Sequence, residues 1–497
     1  MNYLSDKPLI SSGVRGLDAV LNGGLPRERM YMLQGAPGTG KTTLALQHLI
    51  DGRRCGECGL YVTLSESRDE LHAVARSHGW SLDGIAIFEL SAAAPAEAED
   101  EENTLYVPAE VELNERVRAL LGEVDRVKPK RIVLDSCSEL RLLAQSPLRF
   151  RRQLLGLKAE LVQRGCTILL LDNPEGGNEL LQSLAHGVIA LEQLSPSYGA
   201  ERRRLRVLKL REVAFRGGYH DFVIRHEGVD VFPRLVAAEH HEDFVAEPVS
   251  SGLPALDALL GGGPDRGTSM LIVGPAGSGK SALASQYVVH AAGRGEPAAI
   301  FAFDEAKRTL QARALGLGMK LDQYIASGLV RVQQVDPAEL SPGEFVSAVR
   351  AAVERDGARV LVVDSLNGYL HAMPEEQFLL AHMHELSSYL RQQGVLCILV
   401  VAQHGFLGSM SAPVDLSYLA DNVLMTRYFE ANGRVRKALS VVKKRTGMHE
   451  STIRELSLAA GGIQVGPALA QFHGVLSGVP VFDGHASDNR LLKGRSD

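Results

Sequence analysis

Short apolar runs recur along the chain, and polar or glycine-rich stretches follow them. The runs Met30–Leu33 and Met270–Val273 precede glycine-rich loops, after which Thr43–Leu46 and Ala282–Ala284 have helix-like apolar content. Four further apolar runs lie at 60–64, 131–134, 300–303 and 360–363. An acidic residue follows each run, either directly or after one intervening residue. Short buried strands that alternate with helices predict an α/β fold with a mostly parallel, twisted sheet flanked by helices.

The pattern occurs twice at a constant spacing. Gly35 and Gly274 lie 239 positions apart, and Glu66 and Glu305 have the same separation. Such internal similarity indicates a tandem duplication, and a chain of 497 residues is long enough for two α/β domains. We therefore predict two domains of the same fold, residues 1–240 and 247–497.

The spacing falls to 229 between Asp135 and Asp364, so the first repeat contains about ten additional residues. The simplest location for them is the acidic stretch 93–103, whose composition is typical of a solvated loop.

Both glycine-rich loops match the phosphate-binding pattern G-x-x-x-x-G-K-[ST]. Glycines allow consecutive backbone N–H groups to approach a phosphate chain, and the lysine reaches its terminal phosphates. Strand-like and helix-like segments flank each loop, which is the context that the motif requires. The candidate nucleotide-binding residues are Gly35, Ala36, Pro37, Gly38, Thr39, Gly40, Lys41 and Thr42 in the first repeat, and Gly274, Pro275, Ala276, Gly277, Ser278, Gly279, Lys280 and Ser281 in the second.

Asp135 and Asp364 end two β-branched runs, and each is followed by serine. A buried parallel strand that ends in one carboxylate suits a Mg²⁺ ion that keeps most of its waters. The expected Mg²⁺ ligands are therefore Thr42 and Asp135 in the first repeat and Ser281 and Asp364 in the second.

Glu66 and the pair Asp304–Glu305 follow strands at the edge where ligands bind in open α/β sheets, so we expect one or more of them to activate an attacking water. A simpler interpretation is an acid at a helix N-terminus, favoured by the helix dipole. Two further strands end in Asp172–Asn173 and Gln403–His404. Their side chains either sense the terminal phosphate or are simply polar residues at a strand end.

Basic residues end a late strand in each repeat, at 205–211 and 439–445. Alternation places Lys209 and Arg211 on one face of the first strand, and Lys443 and Arg445 on one face of the second. One explanation is a solvated edge strand that lysine protects from aggregation. The other is that these four cations reach the nucleotide of a neighbouring subunit and stabilise transition-state charge.

Composition limits the classes of function. The net charge of −6 gives no polybasic signature for nucleic acid or anionic membranes. Neither a long apolar run nor a cationic-then-apolar N-terminus occurs, so no membrane span and no secretory signal are expected. Five scattered cysteines favour a reducing cytoplasm, and Cys55 and Cys58 lack the second pair that a zinc site needs.

With these motifs the chain resembles the KaiC family, the tandem RecA-type ATPases of bacterial clocks and their signalling relatives. The resemblance extends from Ser12 to about Pro480, and it also includes the stretches 226–233, 442–449 and 453–455. It implies two RecA-like P-loop domains and a double-ring homohexamer with ATP at subunit interfaces. It also implies slow hydrolysis in the first ring and autophosphorylation in the second.

The same resemblance implies Ser417 as the phosphoacceptor. Alignment on Asp421 puts the family's adjacent Ser-Thr acceptors on Ser417 and Tyr418, and the longer tyrosine side chain would misplace its oxygen. The family's paired glutamates correspond to Ser65–Glu66 in the first repeat and Asp304–Glu305 in the second.

Two other classes of function stay open. A RecA- or DnaB-like DNA motor would need basic or glycine-rich DNA loops, which the sequence does not contain, so nucleic acid is not an expected partner. A non-catalytic, ATP-gated scaffold would assemble on nucleotide and bind a KaiB-like or two-component signalling partner. Under the favoured interpretation the cofactors are ATP and Mg²⁺, and the first partner is the chain itself.

Overall fold

The computed structural model describes residues 8–90, 108–144, 146–173, 179–196, 199–336, 338–371, 379–403, 417–431, 433–475 and 481–482. The acidic stretch 93–103 and His404 lie outside these residues. Contacts divide the chain into two compact units, Met1–Arg234 and Leu235–Asp497, called domain 1 and domain 2 below.

Domain 1 begins with the short strand β1 (Leu9–Ile10), which pairs with β2 (Leu25–Pro26). Its other strands are β3 (Met30–Gln34), β4 (Gly59–Thr63), β5 (Ile85–Glu89), β6 (Arg131–Asp135), β7 (Thr167–Asp172), β8 (Gly187–Leu194), β9 (Arg202–Leu210), β10 (His220–Arg225) and β11 (Gly228–Phe232). Its helices are α1 (Leu17–Val20), α2 (Lys41–Arg54), α3 (Arg68–Ser77), α4 (Pro108–Val127), α5 (Cys137–Ala144), α6 (Pro147–Gln163) and α7 (Glu179–Leu184).

Domain 2 has a similar order of elements in its central part. Its strands are β12 (Ser269–Gly274), β13 (Ala298–Ala302), β14 (Val330–Gln334), β15 (Val360–Asp364), β16 (Leu396–Ala402), β17 (Asn422–Ala431), β18 (Arg434–Lys444), β19 (Arg454–Ala459), β20 (Gly462–Ala468), β21 (Phe472–His473) and β22 (Val481–Phe482). Its helices are α8 (Pro254–Leu259), α9 (Lys280–Gly293), α10 (Lys307–Gly316), α11 (Leu321–Ala326), α12 (Pro342–Arg350), α13 (Leu366–His371) and α14 (Leu379–Gln392), with single turns at Ala237–Glu239, Ala351–Arg355 and Ser417–Leu419.

Each domain contains a nine-stranded sheet within the described residues. The strand order is β11-β10-β9-β8-β3-β7-β6-β4-β5 in domain 1 and, in the same sense, β20-β19-β18-β17-β12-β16-β15-β13-β14 in domain 2. The six strands from β8 to β5, and from β17 to β14, run parallel, and the remaining three are antiparallel. Helices cover both faces of the parallel part, whose strands are therefore almost continuously apolar. The predicted tandem α/β fold is confirmed.

Different segments of the chain lie at the carboxyl and amino edges of each parallel sheet. At the carboxyl edge, β3 ends beside β7, with Gln34 opposite Asp172, and the first glycine-rich loop follows. At the amino edge, β8 begins opposite Tyr31 near the start of β3. A strand of five or six residues separates the edges by roughly 17–20 Å.

The segment after β11 packs on domain 2, although the sequence suggested that it closes domain 1. Leu235 and Ala237 belong to a domain 2 core, and the ring of His240 meets Tyr389 edge-on at 5.2 Å. The side chain of Gln393 donates to the carbonyl oxygen of His240 over 2.9 Å. Apolar positions inside this otherwise polar segment explain why it belongs with domain 2 rather than with a free linker.

Candidate nucleotide sites

Both glycine-rich loops lead directly into a helix whose N-terminus has no side-chain cap. Helix α2 begins after Gly40, with φ of 97°, and α9 begins after Gly279, with φ of 104°. Glycine adopts these left-handed conformations without a Cβ penalty, so each loop turns sharply into its helix. The backbone N–H groups of the first helical turn are thus available to an anion, and the helix dipole favours negative charge there. The loops fit a nucleotide phosphate chain.

Lys41 and Lys280 both fold over their own loops. Lys41 Nζ donates to the carbonyl oxygen of Gly35 over 2.6 Å and to Oδ1 of Asn173 over 3.0 Å, while Lys280 Nζ donates to the carbonyl oxygen of Pro275 over 2.7 Å. Burial lowers the pKa of Lys41, and it lowers the pKa of Lys280 to about 8 although Asp364 opposes the shift. A bound phosphate chain would place additional negative charge beside both ammonium groups.

The expected Mg²⁺ ligands of domain 1 are neighbours. Thr42 Oγ1 donates to Oδ2 of Asp135 over 3.3 Å, and the Tyr61 hydroxyl donates to the same oxygen over 2.5 Å. Burial raises the pKa of Asp135, while the hydrogen bond from Tyr61 lowers it. A hydroxyl beside one buried carboxylate suits Mg²⁺, which takes few protein oxygens and keeps its waters.

In domain 2, Ser281 hydrogen-bonds to Asp364, and this contact partly offsets the rise in the pKa of Asp364 that burial causes. The peptide bond after the aspartate is cis in both domains. Ile300 occupies the position that corresponds to Tyr61, so the tyrosine contact belongs to domain 1.

Glu66 lies just beyond β4, at the carboxyl edge. Its Oε2 is buried and has no hydrogen-bond partner within the described part of the chain. Burial raises the pKa of Glu66, and the charges of Asp135 and Glu70 raise it further. A carboxylate with a free, desolvated oxygen can accept a proton from a water molecule.

The two acids of domain 2 are each held by a neighbour. Asp304 Oδ2 accepts a hydrogen bond from the hydroxyl of Ser365. Both oxygens of Glu305 accept from Nη1 of Arg313, at 2.6 Å for Oε1 and 2.5 Å for Oε2. The carboxylates that follow β13 are thus constrained in a way that Glu66 is not.

The polar residues at the end of β7 contact both a neighbouring helix and the first glycine-rich loop. Asp172 is fully buried and accepts from Arg141 Nη2 over 2.5 Å, and the adjacent Asn173 contacts Lys41. Burial is the main cause of the raised pKa of Asp172. Asn173 therefore connects the end of β7 with the lysine of the first loop.

The cations of domain 1 lie at the amino edge, away from the glycine-rich loop of their own domain. Lys209 is paired with Val188 near the start of β8, and its Nζ donates to the carbonyl oxygen of Gln182 over 2.7 Å. Strand β9 ends at Leu210, so Arg211 lies one residue beyond it rather than on a continuing strand face. A bulge at Val188/Ile189 interrupts the regular alternation that the sequence predicted.

Lys158 of α6 joins this group. Burial lowers the pKa of Lys209, and the nearby charges of Arg211 and Lys158 lower it further. Lys158 itself donates to the carbonyl oxygen of Leu184 over 2.8 Å. The amino edge of domain 1 therefore concentrates positive charge that would attract an external anion.

Domain 2 has the same arrangement. Lys443 Nζ donates to the carbonyl oxygen of Ala420 over 2.8 Å, and Arg445 contacts Asp421 over 3.4 Å just past the end of β18. The turn Ser417–Leu419 precedes β17, so the backbone of Ser417 lies at this same amino edge. Ser417 and the second glycine-rich loop are thus at opposite edges of one sheet.

Two contacts of the sites were not found from the sequence. Tyr61 is one residue in an apolar strand, and its proximity to Asp135 depends on the pairing of β4 with β6. Arg313 follows Glu305 by eight residues and lies in the last turn of α10, the helix that begins two residues after this acid. Glu305 precedes α10, so the spacing rules for pairs within one helix do not identify the second contact.

No group of three or more His, Cys, Asp or Glu residues suited to a metal occurs within the described ranges, and Cys55 and Cys58 are both exposed free thiols. None of the described helices is long and apolar enough to span a membrane.

The chain has two phosphate-binding loops, and each lies at the carboxyl edge of a RecA-like sheet beside a strand-end aspartate. These features define a tandem P-loop ATPase. A sequence model of the KaiC ATPase family matches residues 10–236 and again residues 249–470. The chain belongs to the KaiC family.

Individual relatives match along nearly the whole chain. The circadian clock oscillator protein KaiC of Acaryochloris marina is 26% identical over 484 residues, which cover 95% of this chain and 91% of the relative. The protein of the same name from Parasynechococcus marenigrum is 26% identical over 98% of this chain and 96% of its own. KaiC 1 of Synechocystis is also 26% identical, over 98% of this chain and 95% of its own.

Proposed function

We propose that the protein is a ring-forming signalling ATPase that binds Mg²⁺ and ATP in both domains and hydrolyses it at interfaces between subunits. The glycine-rich loop and the strand-end aspartate of one subunit hold the nucleotide. Lys209 and Arg211 of the next subunit complete the site in domain 1, and Lys443 and Arg445 complete it in domain 2. A homohexamer is the assembly that the family resemblance suggests.

One observation carries this proposal: in each domain the loop lysine and the cationic pair lie at opposite edges of the same sheet. A sheet edge about 17–20 Å away cannot deliver a cation to its own nucleotide. A head-to-tail interface brings the amino edge of one subunit to the carboxyl edge of the next, and such interfaces close into rings. The cations then meet the phosphates of the neighbour.

The chain's residues have distinct roles in the reaction. Bound Mg²⁺ would neutralise phosphate charge between Thr42 and Asp135, or between Ser281 and Asp364. Glu66 or Glu305 accepts a proton as the oxygen of water bonds to the γ-phosphorus. The bond from that phosphorus to the bridging oxygen breaks, and its electron pair leaves with ADP.

Mixing two inactive variants tests the shared site of domain 1. Lys41→Ala removes the loop lysine, and Lys209→Ala/Arg211→Ala removes the cations, both in a Glu305→Gln background that suppresses domain 2. In mixed rings at equal amounts, about one quarter of interfaces combine an intact loop with intact cations. We expect each variant alone to be inactive and the mixture to recover about that share of wild-type phosphate release. Absence of recovery in rings shown to be mixed would refute sharing.

Autophosphorylation of Ser417 is a second candidate activity. Its support is that Ser417 lies at the same edge as Lys443 and Arg445. If those cations reach the neighbour's γ-phosphate, Ser417 is carried towards it as well, and transfer would occur between subunits. A scaffold that assembles on ATP without turnover is the remaining alternative, and a KaiB-like or two-component partner is proposed only by analogy with the family.

A further inference from the structure

Glu66 and Glu305 occupy equivalent positions in the two domains, but the residues eight positions after them differ. Arg313 Nη1 contacts both carboxylate oxygens of Glu305, and the side chains of Arg313 and Glu305 are only 28% and 20% exposed. The equivalent position in domain 1 is Val74, which packs against the apolar core. Glu66 Oε2 has no hydrogen-bond partner among the residues that the structure describes.

We propose that Arg313 restrains Glu305 and thereby makes ATP hydrolysis slower in domain 2 than in domain 1. This inference rests on the proposed function, in which Glu305 accepts the proton of the attacking water. A carboxylate needs a free lone pair directed at that water. The guanidinium engages one lone pair on each oxygen of Glu305 and fixes the orientation of the carboxylate, so the pair must open before a free lone pair can turn towards the water. Arg313 is therefore a positioning residue that acts through Glu305.

Slow hydrolysis has a consequence for the rest of the domain. An ATP molecule that is not consumed by water keeps its γ-phosphate longer. Domain 2 is also the domain whose amino edge carries Ser417. The restraint would thus prolong the lifetime of bound ATP in that domain, whereas the unrestrained Glu66 suits domain 1 to hydrolysis.

A different role for Arg313 would have the opposite effect. Its charge reaches the Mg²⁺ ligand Asp364, where it partly offsets the rise in pKa that burial causes. If Arg313 stabilised transition-state charge through this proximity, its removal would slow hydrolysis. If Arg313 instead restrains Glu305, removal of Arg313 accelerates hydrolysis. The direction of the change in rate therefore separates the two roles.

The test uses the full chain carrying Glu66→Gln, so that phosphate release reports domain 2. Arg313→Val installs the residue of domain 1, and Arg313→Lys keeps the charge with fewer contacts. Arg308→Val is the matched control, because it removes an exposed cation from the same helix α10. Glu305→Gln, alone and combined with Arg313→Val, shows whether any change passes through the carboxylate. Light scattering with ATP and Mg²⁺ confirms that every variant assembles equally.

We expect Arg313→Val to raise kcat about fivefold with little change in KM, as expected for breaking one half-buried ion pair. Arg313→Lys should lie between it and the wild type, and Arg308→Val should have no effect. The gain should vanish in the Glu305→Gln double variant. A kcat for Arg313→Val at or below the Arg308→Val control, while Glu305→Gln loses turnover, would overturn the restraint alone. Unchanged turnover in Glu305→Gln would instead reject the proposed role of Glu305 and the inference with it.

Discussion

The hydroxyl of Tyr61 donates a 2.5 Å hydrogen bond to Oδ2 of Asp135, and both residues are buried. Desolvation and the adjacent carboxylate raise the pKa of Tyr61 well above its usual value, so the hydroxyl remains a donor at neutral pH. Thr42 donates to the same oxygen. Domain 1 therefore holds the carboxylate of Asp135, its proposed Mg²⁺ ligand, in place from two sides, whereas Ile300 in domain 2 cannot form the second contact.

We expect Tyr61→Phe to lower the free energy of unfolding of domain 1 by about 2 kcal/mol, because it removes a hydrogen bond to a buried charged acceptor. Fluorescence of Trp80, the single tryptophan, reports unfolding of this domain in urea. Mg²⁺ with ATP should reduce the loss, since the metal would bind the oxygen that Tyr61 leaves.

Tyr31→Phe is the matched control for that experiment. Tyr31 is equally buried and donates over 2.6 Å to the carbonyl oxygen of Pro26, away from the nucleotide site. Its loss should be about 1 kcal/mol and should not respond to Mg²⁺. An identical Mg²⁺ response in the two variants would contradict the role assigned to Tyr61.

The parts of the site that depend on local sequence were predictable. Each glycine-rich loop has a fixed spacing, and strand-end aspartates such as Asp135 follow runs whose apolar content requires burial on both faces. Strand bounds were also close, since the run 131–134 became β6 at Arg131–Asp135. These features follow from side-chain period and backbone conformation within a few residues.

Features that depend on long-range pairing were not predictable. Tyr61 meets Asp135 because β4 and β6 are neighbours in the sheet although 74 residues separate the two side chains. The bulges beside Lys209 and Lys443 shift the register of β9 and β18, and no residue type in the sequence indicates where they occur. The partner of Glu305 depends on the path of α10, which the apolar pattern does not specify.

Each loop lysine should be needed for one of two ATP molecules per chain. Lys41→Ala or Lys280→Ala removes the cation that faces the phosphates, and we expect either change to reduce bound ATP to about half. Equilibrium dialysis with labelled ATP measures the ratio. Lys307→Ala, at an exposed lysine of domain 2, should leave it unchanged. Full stoichiometry in Lys280→Ala would mean that domain 2 does not use this loop.

The ATP affinity of domain 2 should depend on pH through Lys280. Burial lowers the pKa of Lys280 to about 8, and ATP binds the protonated form. Below that pH the lysine is already charged and the affinity should be flat. Above it, binding must take up a proton, so the association constant should fall about tenfold per pH unit.

The Lys41→Ala variant isolates this site for calorimetry. Titrations at about pH 9 in buffers of different ionisation enthalpy should reveal uptake of close to one proton, and about none at pH 7. An affinity that stays constant between about pH 8 and pH 9.5 would show that Lys280 is charged throughout that range.

Phosphate should appear on Ser417 after incubation with ATP and Mg²⁺, and mass spectrometry of the peptide covering residues 405–427 would detect it. The hydroxyl is a weak nucleophile, so transfer needs a carboxylate to accept its proton, and Asp304→Asn/Glu305→Gln should abolish the modification. Because Ser417 and the second loop lie at opposite edges of the sheet, the phosphate should come from a neighbour. A Ser417→Ala chain with an intact loop should therefore donate phosphate to a Lys280→Ala chain that cannot bind ATP in domain 2. Tyr418→Phe should leave the modification intact.

Two outcomes would contradict this prediction. Turnover of ATP without any phosphopeptide in this region would leave hydrolysis as the activity of domain 2. Phosphate confined to chains with their own intact loop would reject transfer between subunits.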